Sequence, residues 1–589
     1  MGHRRVERSS AVHGLLSHLA ADANLSGSIN EHQRVIAASS ANPFLIALQG
    51  QKRPVLVVTS SSRGAEDLAE DLRNLHEHVY EFPAWETLPH ERLSPRSDTV
   101  AQRIQTLSAL QVIDQSLNPI VVAPIRAVIH RFIATLASTP LRTIEVGEEL
   151  SLTDLVQHFS ALSYTRTDLV EKRGEFAVRG GIVDVFLPLA DYPVRIDFFG
   201  DEIEELSYFD IADQRTTKPV VGKLEIIPCR ELLITDAIRD RAEKLKNRFP
   251  AAIEVLEKIA QGISVDGMES LIPFLTDNHH TIFDRMDKRT IVIFIDEERI
   301  RSRTADLIAT NEEFLAASWS SASLGGSAPL PVDSITYIDW DSIFGELNAR
   351  GLSHLALNSF GSDLDEASYF TDFTPIEPMR GNVERLCLLL SDGLNQRQTV
   401  LFAATGHGMA ERYAGIFRDA DLPVQLSASL NTIPAKGSIH VFQSTLSHGF
   451  ASEDGELLFI TERDLSGTKV TSKDGARMPT KRKQAIDPLE LKSGDFVVHE
   501  QHGIGRYVEL VQRTVGGVTR EYVVIEYAPA KRGQPGDRIF VPTDTLEQVS
   551  KYVGGESPAI HRIGGGEWQK AKGRARKAVR QIAGELIRL

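Results

Sequence analysis

Three acidic residues, Asp296, Glu297 and Glu298, follow a short apolar run at 291–295, where they could hold a metal ion. In ATP-hydrolysing α/β proteins, carboxylates at such a strand end hold Mg²⁺, while a glycine-rich GxxxxGK[ST] loop binds the phosphates. The chain contains no Gly-Lys-Ser or Gly-Lys-Thr. The alternative is an ordinary helix start, where acidic side chains are favoured. We therefore expect no catalytic residue, no bound cofactor and no metal site in this chain.

The composition is that of a soluble multidomain protein. Of 589 residues, 42% are hydrophobic and 25% are charged, and the net charge is −15. This charge argues against a wide DNA-binding surface, because phosphates require a local excess of Lys and Arg. The two cysteines, Cys229 and Cys387, favour a reducing compartment. No run approaches the roughly 20 apolar residues of a membrane span. We expect a cytoplasmic protein without a membrane partner.

Changes in pattern along the chain predict an α/β multidomain protein. Alternating helical and buried-strand patterns indicate a parallel sheet in residues 1–135 that resumes in 231–350. Between them, residues 136–230 show alternating strands and glycine turns, which are typical of an inserted α+β domain. Further along we predict a second α/β domain at 351–466, a linker at 467–486, a small β domain at 487–560 and a helix start at 566–589.

A β-hairpin is predicted around Gly180-Gly181. The turn pairs Arg179 with Ile182, and this register gives the hairpin one apolar face. The other face carries Glu175, Ala177, Arg179, Asp184 and Phe186. An arginine and an aromatic residue beside acids are typical of a protein-binding surface, so we predict that this face is open to solvent. The alternative is that a helix covers Phe186 and that Arg179 pairs with Asp184.

The sequence around this hairpin resembles a known module. Tyr164-Thr-Arg-Thr-Asp168, 173–186 and 195–203 closely resemble the domain by which the excision-repair protein UvrB binds UvrA. Phe82-Pro-Ala-Trp-Glu-Thr-Leu-Pro-His-Glu91 is similar to the version in bacterial transcription-repair coupling factors, the Mfd family. The resemblance implies a UvrB-like, helicase-type first domain that has lost its ATP site. It also implies UvrA-binding residues at Arg166, Arg179, Phe186, Asp184 and Glu175.

The small β domain has short strands with tight glycine corners, which predict a compact, strongly bent barrel. We predict that Tyr522 and Val524 are exposed and invite a partner at a strand edge. The alternative is that they rest on a neighbouring domain. The sequence resembles the RNA polymerase interaction domain shared by the Mfd family and the CarD regulators. This implies an SH3/Tudor-like barrel that binds the polymerase β subunit through Tyr522, Val523, Val524, Ile525 and Glu526.

Residues 566–589 place apolar side chains at helical spacing without a stop signal, so we expect a helix that continues into a longer protein. The family resemblance implies transcription-coupled DNA repair. This portion would bind RNA polymerase and recruit UvrA. A C-terminal motor using ATP and Mg²⁺ would translocate on double-stranded DNA and displace stalled polymerase.

Two other functions remain open from the sequence. A UvrB-like helicase subunit would be an enzyme, and the missing phosphate-binding loop argues against it. A CarD-like transcription regulator would bind promoter DNA through the basic residues near 570–580, and the net charge of −15 argues against it.

Overall fold

The computed structural model describes residues 12–20, 33–87, 93–112, 117–136, 141–249, 252–323, 337–360, 368–427, 430, 432, 434–452, 456–466, 493–499, 502–515, 518–529, 536–542, 549–551 and 560–562. The predicted linker at 467–486 and the predicted helix from 566 lie outside these residues. Within the described part of the chain, no helix is both long enough and apolar enough to cross a bilayer.

The first two regions of the chain contain helices α1–α6 and strands β1–β13. In residues 13–136 the helices α1–α5 are His13–Ala20, Asn42–Gly50, Ser62–Leu72, Ser97–Val112 and Ile125–Ile129. The strands β1–β5 are Arg34–Ile36, Val55–Thr59, Val79–Glu81, Ile120–Pro124 and Phe132–Ile133. In residues 142–226 the helix α6 is Leu152–Ala161, and β6–β13 are Arg142–Ile144, Thr165–Arg166, Glu175–Arg179, Ile182–Val185, Val194–Phe199, Glu202–Phe209, Thr216–Pro219 and Leu224–Ile226.

The remaining elements are α7–α14 and β14–β28. Helices α7–α11 are Asp236–Leu245, Ile253–Ala260, Ile272–Leu275, Glu297–Ser323 and Trp340–Arg350, and α12–α14 are Val383–Asn395, His407–Asp419 and Glu462–Ser466. Strands β14–β17 are His279–His280, Ile291–Ile295, Ser353–Asn358 and Ser368–Phe370. Strands β18–β23 are Thr374–Pro375, Thr399–Ala404, Val424–Ser427, Ile439–Gln443, Phe450–Ser452 and Leu457–Thr461. The last five, β24–β28, are Phe496–His499, Gly503–Val515, Val518–Tyr527, Asp537–Pro542 and Val549–Lys551.

The first sheet has seven parallel strands in the order β17-β1-β16-β15-β2-β4-β3. Its interior strand β2 is buried at every position, as expected for a β-branched run covered on both faces. Strand β15 lies beside β2, so the chain returns to this sheet after the inserted segment. The predicted boundary at 350/351 does not coincide with the sheet's end, because β16 and β17 follow it. These strands are paired with β15 and β1, which places residues 353–358 and 368–370 in the first sheet.

The inserted segment forms a six-stranded sheet in the order β12-β11-β10-β9-β8-β7. The hairpin β8–β9 has the predicted register, from Phe176 opposite Val185 to Arg179 opposite Ile182. Its apolar face packs on α6, where Phe176 lies 5.5 Å from the Phe159 ring. The alternation of the hairpin was therefore sufficient to locate this domain's core.

A buried ion pair fixes the place where the inserted segment rejoins the first domain. Arg103 of α4 donates to a Glu231 carboxylate oxygen at 2.6 Å, and both side chains are fully buried. The same oxygen accepts the Trp85 indole N–H at 2.8 Å. The Arg103 guanidinium also lies 4.1 Å from the centre of the Phe82 ring. Glu231 follows β13 and is thereby fastened to the segment 82–85 and to α4.

The second α/β sheet has the order β18-β22-β23-β19-β21-β20 and shares an apolar cluster with the first sheet. Phe44 of α2 contacts Phe450 and Phe459 with ring centroids 5.1 and 5.7 Å away. We call this shared apolar interface between the two sheets the seam, and helix α1 closes it. The Gly14 amide donates to the Leu430 carbonyl at 2.6 Å, and a Cβ at position 14 would lie only 1.9 Å from the Thr432 carbonyl oxygen. Only glycine allows this close approach.

A buried carboxylate lies in the same seam. Asp71 of α3 accepts the Ser447 amide at 2.8 Å, and Ser447 Oγ accepts from Arg463 at 2.7 Å. Nearby, Asn74 and Thr445 share two hydrogen bonds of 3.0 and 3.1 Å. Burial raises the pKa of the Asp71 carboxyl to about 6. The seam therefore holds a charge at neutral pH that burial disfavours.

The last sheet is antiparallel in the order β27-β26-β25-β24-β28. Its apolar cluster consists of Val497, Tyr507, Val523, Ile525, Tyr527 and Val541. Among the described strands, β26 is interior and β27 is an edge. A partner strand could therefore pair with β27 but not with β26.

We predict that Asp71→Asn stabilises the protein at pH 8. The folded-state pKa of Asp71 is raised above the value of an unfolded carboxyl, so its contribution to stability is lost as pH rises through about 6. Asparagine still accepts from Ser447 and removes the buried charge, which gives a gain of about 3 kcal/mol at pH 8 and little at about pH 3.5, below the pKa of the unfolded carboxyl. Denaturant unfolding at both pH values measures this, with Glu66→Gln, at an exposed position of the same helix, as control. An equal gain at both pH values would contradict the prediction.

Candidate partner-docking surfaces

The turn after β2 occupies the place of a phosphate-binding loop. Only Ser60 and Ser61 separate this strand from α3. Ser61 Oγ accepts the Gly64 amide at 3.1 Å, and the Thr59 hydroxyl donates to the Ser61 carbonyl at 2.9 Å. The turn thus uses its own side chain to cap the helix. Two residues are too few for backbone amides to surround a phosphate chain.

The acidic residues after β15 are engaged in a helix start. Asp296 has a φ of 56°, and its carboxylate accepts the Ser359 amide at 2.8 Å. In return the Asn358 side-chain oxygen accepts the Glu297 amide at 2.9 Å. These bonds tie α10 to the end of β16. The geometry agrees with the helix-start alternative given by the sequence.

In the inserted domain, Arg166 and Arg179 come together at one open pocket. The pocket has a volume of about 560 Å³ and is lined by Arg166, Thr167, Asp168, Val178 and Arg179. Both arginines are exposed. Arg179 is oriented by a 2.7 Å hydrogen bond from its guanidinium to the Asp168 carbonyl, and not by Asp184. Two guanidinium groups on one rim suit a partner that presents carboxylates.

The prediction that the second hairpin face is open to solvent is wrong for three of its residues. Ala177, Asp184 and Phe186 are 2%, 2% and 6% exposed. Ala177 and Phe186 form a small apolar cluster with Val170 and Phe209. The cover over Phe186 is the loop 167–173, rather than a helix. A loop can bury this face because Val170 packs against Ala177, Phe186 and Phe209, a contact that periodicity does not reveal.

The acidic residues of this face have internal partners. Asp184 receives two hydrogen bonds from Arg195, at 2.7 and 2.9 Å, and these residues lie directly opposite each other on β9 and β10. Glu175 is half-buried and accepts the amides of Glu171 and Lys172. The sequence analysis missed Arg195, although extending the hairpin register to β10 would have found it. Phe186 and Asp184 are therefore buried in the domain, and Glu175 is bonded to the loop 167–173.

The strand predicted to bind polymerase is interior. Tyr522, Val523, Val524 and Ile525 are 6%, 0%, 1% and 0% exposed. Strand β26 has β25 on one side and β27 on the other, so its backbone has no free edge. The prediction that Tyr522 and Val524 are exposed is thus wrong. Of the five residues, Glu526 reaches solvent, with a side chain 37% exposed and 3.4 Å from Arg538.

We predict that Val524→Asp destabilises the five-stranded sheet by at least about 3 kcal/mol, because it buries an unpaired carboxylate. Thermal unfolding measures the loss. The matched control is Glu509→Gln, since Glu509 lies opposite Val524 and is exposed. Its effect should stay within about 0.5 kcal/mol. A folded Val524→Asp variant of unchanged stability would contradict the burial of this side chain.

Comparisons with known proteins agree with this architecture. A family model of the UvrB interaction domain matches residues 143–232, which include the pocket. The CarD-like/TRCF RID domain model matches residues 491–553, which include the five-stranded sheet.

Curated relatives extend the similarity along the chain. The transcription-repair-coupling factor of Mycobacterium tuberculosis is 40% identical over 582 residues, covering 94% of this chain and 47% of the relative. Those of Myxococcus xanthus and Bacillus subtilis are 29% and 24% identical, covering 92% and 94% of this chain and 47% and 48% of their own lengths. The chain thus spans about half the length of the curated relatives it matches. Along most of its length the chain is therefore similar to transcription-repair-coupling factors.

Proposed function

We propose that this chain couples transcription to DNA repair by docking two partners on separate domains. The inserted domain binds UvrA, and residues 487–560 bind the β subunit of RNA polymerase. The observation that carries the proposal is the coincidence of the UvrB interaction domain match with a pocket whose rim holds Arg166 and Arg179. Each guanidinium offers several hydrogen bonds to a carboxylate of the partner.

The polymerase-binding part of the proposal rests on the CarD-like/TRCF RID match. We infer that the five strands bend into an SH3/Tudor-like barrel in which β27 remains an edge. Beyond the end of β26, a bridge joins Ala528 to Arg562. Since β26 is interior, the accessible contact is its end at Glu526 together with the edge strand β27.

The energy for displacing polymerase would come from outside this chain. In this proposal the longer protein adds a motor that uses ATP and Mg²⁺ and moves on double-stranded DNA. The short turn after β2 favours this division, because it leaves only two residues between the strand and α3, and the sequence contains no Gly-Lys-Ser or Gly-Lys-Thr. The chain described here would act as the adaptor between the motor, the polymerase and UvrA.

We predict that Arg166→Ala and Arg179→Ala each weaken UvrA binding about tenfold, because each removes a charged hydrogen-bond donor from the pocket rim. Titration calorimetry with purified UvrA measures this. Binding to the polymerase β subunit should stay unchanged. Arg215→Ala is the matched control, since Arg215 is exposed on the same domain beside β12, at the opposite edge of the sheet. Equal weakening by the control would place the UvrA contact elsewhere.

We predict that Glu526→Lys weakens binding to the polymerase β subunit about tenfold, since it reverses an accessible charge beside the edge strand. Binding kinetics with the isolated β subunit measure the change. Glu509→Lys introduces the same charge change on the interior strand β25 and should have little effect. If Glu509→Lys weakens binding and Glu526→Lys does not, the docking edge is wrongly assigned.

A further inference from the structure

A seven-residue loop, 167–173, which we term the strap, crosses the second face of the inserted sheet. Val170 lies at its centre, is fully buried and contacts the small apolar cluster of Ala177, Phe186 and Phe209. The Arg173 guanidinium lies 5.4 Å from the centre of the Phe186 ring and donates to the Ala190 carbonyl at 3.1 Å. The strap is therefore a packed element with a defined place on the sheet.

One side chain holds the strap in the middle. Glu175, the first residue of β8, accepts the Glu171 amide at 2.9 Å and the Lys172 amide at 2.8 Å through the same carboxylate oxygen. The chain folds back on itself here, with Gly174 at a φ of 84°. Hydrogen bonds from backbone amides to a carboxylate are charge-assisted and stronger than neutral ones. Glu175 thus fixes two consecutive peptide groups of the strap relative to the hairpin.

The other end of the strap forms one wall of the pocket. The Thr167 amide donates to the Phe176 carbonyl at 2.8 Å, and Arg179 donates to the Asp168 carbonyl at 2.7 Å. The direction of the Arg179 side chain consequently depends on where residue 168 lies. Arg166 immediately precedes the strap. A displacement of the strap would therefore move both the pocket wall and Arg179, which is hydrogen-bonded to the strap.

Resting on the proposed UvrA-binding function, we propose that Glu175 is a positioning residue for the pocket: its carboxylate fastens the strap, and the fastened strap orients Arg179. Glu175 itself does not touch the partner. This role differs from a contact residue in one measurable way. A fastening residue needs an acceptor oxygen, whereas a contact with a cationic partner group needs the negative charge.

The test compares Glu175→Ala with Glu175→Gln. Glutamine keeps an acceptor oxygen for the two amides and loses the charge, while alanine loses both. We expect UvrA affinity to fall about tenfold in the alanine variant and to stay within about threefold of the unaltered chain in the glutamine variant. Glu205→Ala, which removes an exposed carboxylate from β11 of the same domain, is the control for net charge and should bind normally.

Amide hydrogen exchange of the chain without UvrA provides an independent measurement. Exchange at Glu171 and Lys172 should accelerate at least about tenfold in Glu175→Ala and much less in Glu175→Gln, since exchange follows local opening. Thermal unfolding of both variants establishes that the domain remains folded. If only the alanine variant unfolds, the exchange and binding of the glutamine variant still decide the proposal.

Two outcomes overturn the proposal. Equal loss of binding in both variants, with slow exchange retained in Glu175→Gln, would make Glu175 a direct charge contact. Normal UvrA binding by Glu175→Ala despite fast exchange would show that the strap does not orient the pocket. If the unaltered chain fails to bind UvrA, the proposed function itself fails, and the exchange data then report on the strap alone.

Discussion

The arrangement of the first α/β domain and the domain inserted into it depends on the buried pair Arg103–Glu231. An insertion leaves its host domain at one point and must return at another, and Glu231 marks the return. Removing one partner of such a pair leaves a buried charge without compensation, which typically costs about 3–5 kcal/mol. The pair specifies position more than it adds stability, because the desolvation of both groups offsets most of their attraction. It thereby sets the inserted sheet relative to α4.

The same use of carboxylates explains how an acidic protein presents a cationic pocket. Asp184 is paired with Arg195, and Glu175 accepts hydrogen bonds from two backbone amides. The carboxylates of the hairpin thus have hydrogen-bond partners inside the domain, and Arg166 and Arg179 remain at the rim. The net charge of −15 therefore says little about the local field at this surface. The charge that a partner meets at this pocket is therefore set by which side chains already have partners inside the domain, rather than by the overall composition.

Local patterns in the sequence predicted the elements well and their surroundings poorly. The hairpin register followed from Gly180-Gly181 and strict alternation, and the buried strand β2 followed from its apolar run. The sequence left the burial of Phe186 and Val524 as an open alternative, because burial depends on tertiary contacts that local periodicity does not contain. The extension of the first sheet to β17 was missed for a related reason. Strand order is a long-range property that periodicity does not contain.

The close approach of Gly14 to the Thr432 carbonyl has a practical consequence for handling the protein. Helix α1 contributes Leu15, Leu16 and Leu19 to the apolar cluster shared by the two α/β sheets. A shortened version that begins after this helix would leave an exposed apolar groove between those sheets. Exposed apolar patches of that kind promote self-association. Tags and truncation points are therefore best placed ahead of residue 12, so that helix α1 stays packed between the two sheets during purification.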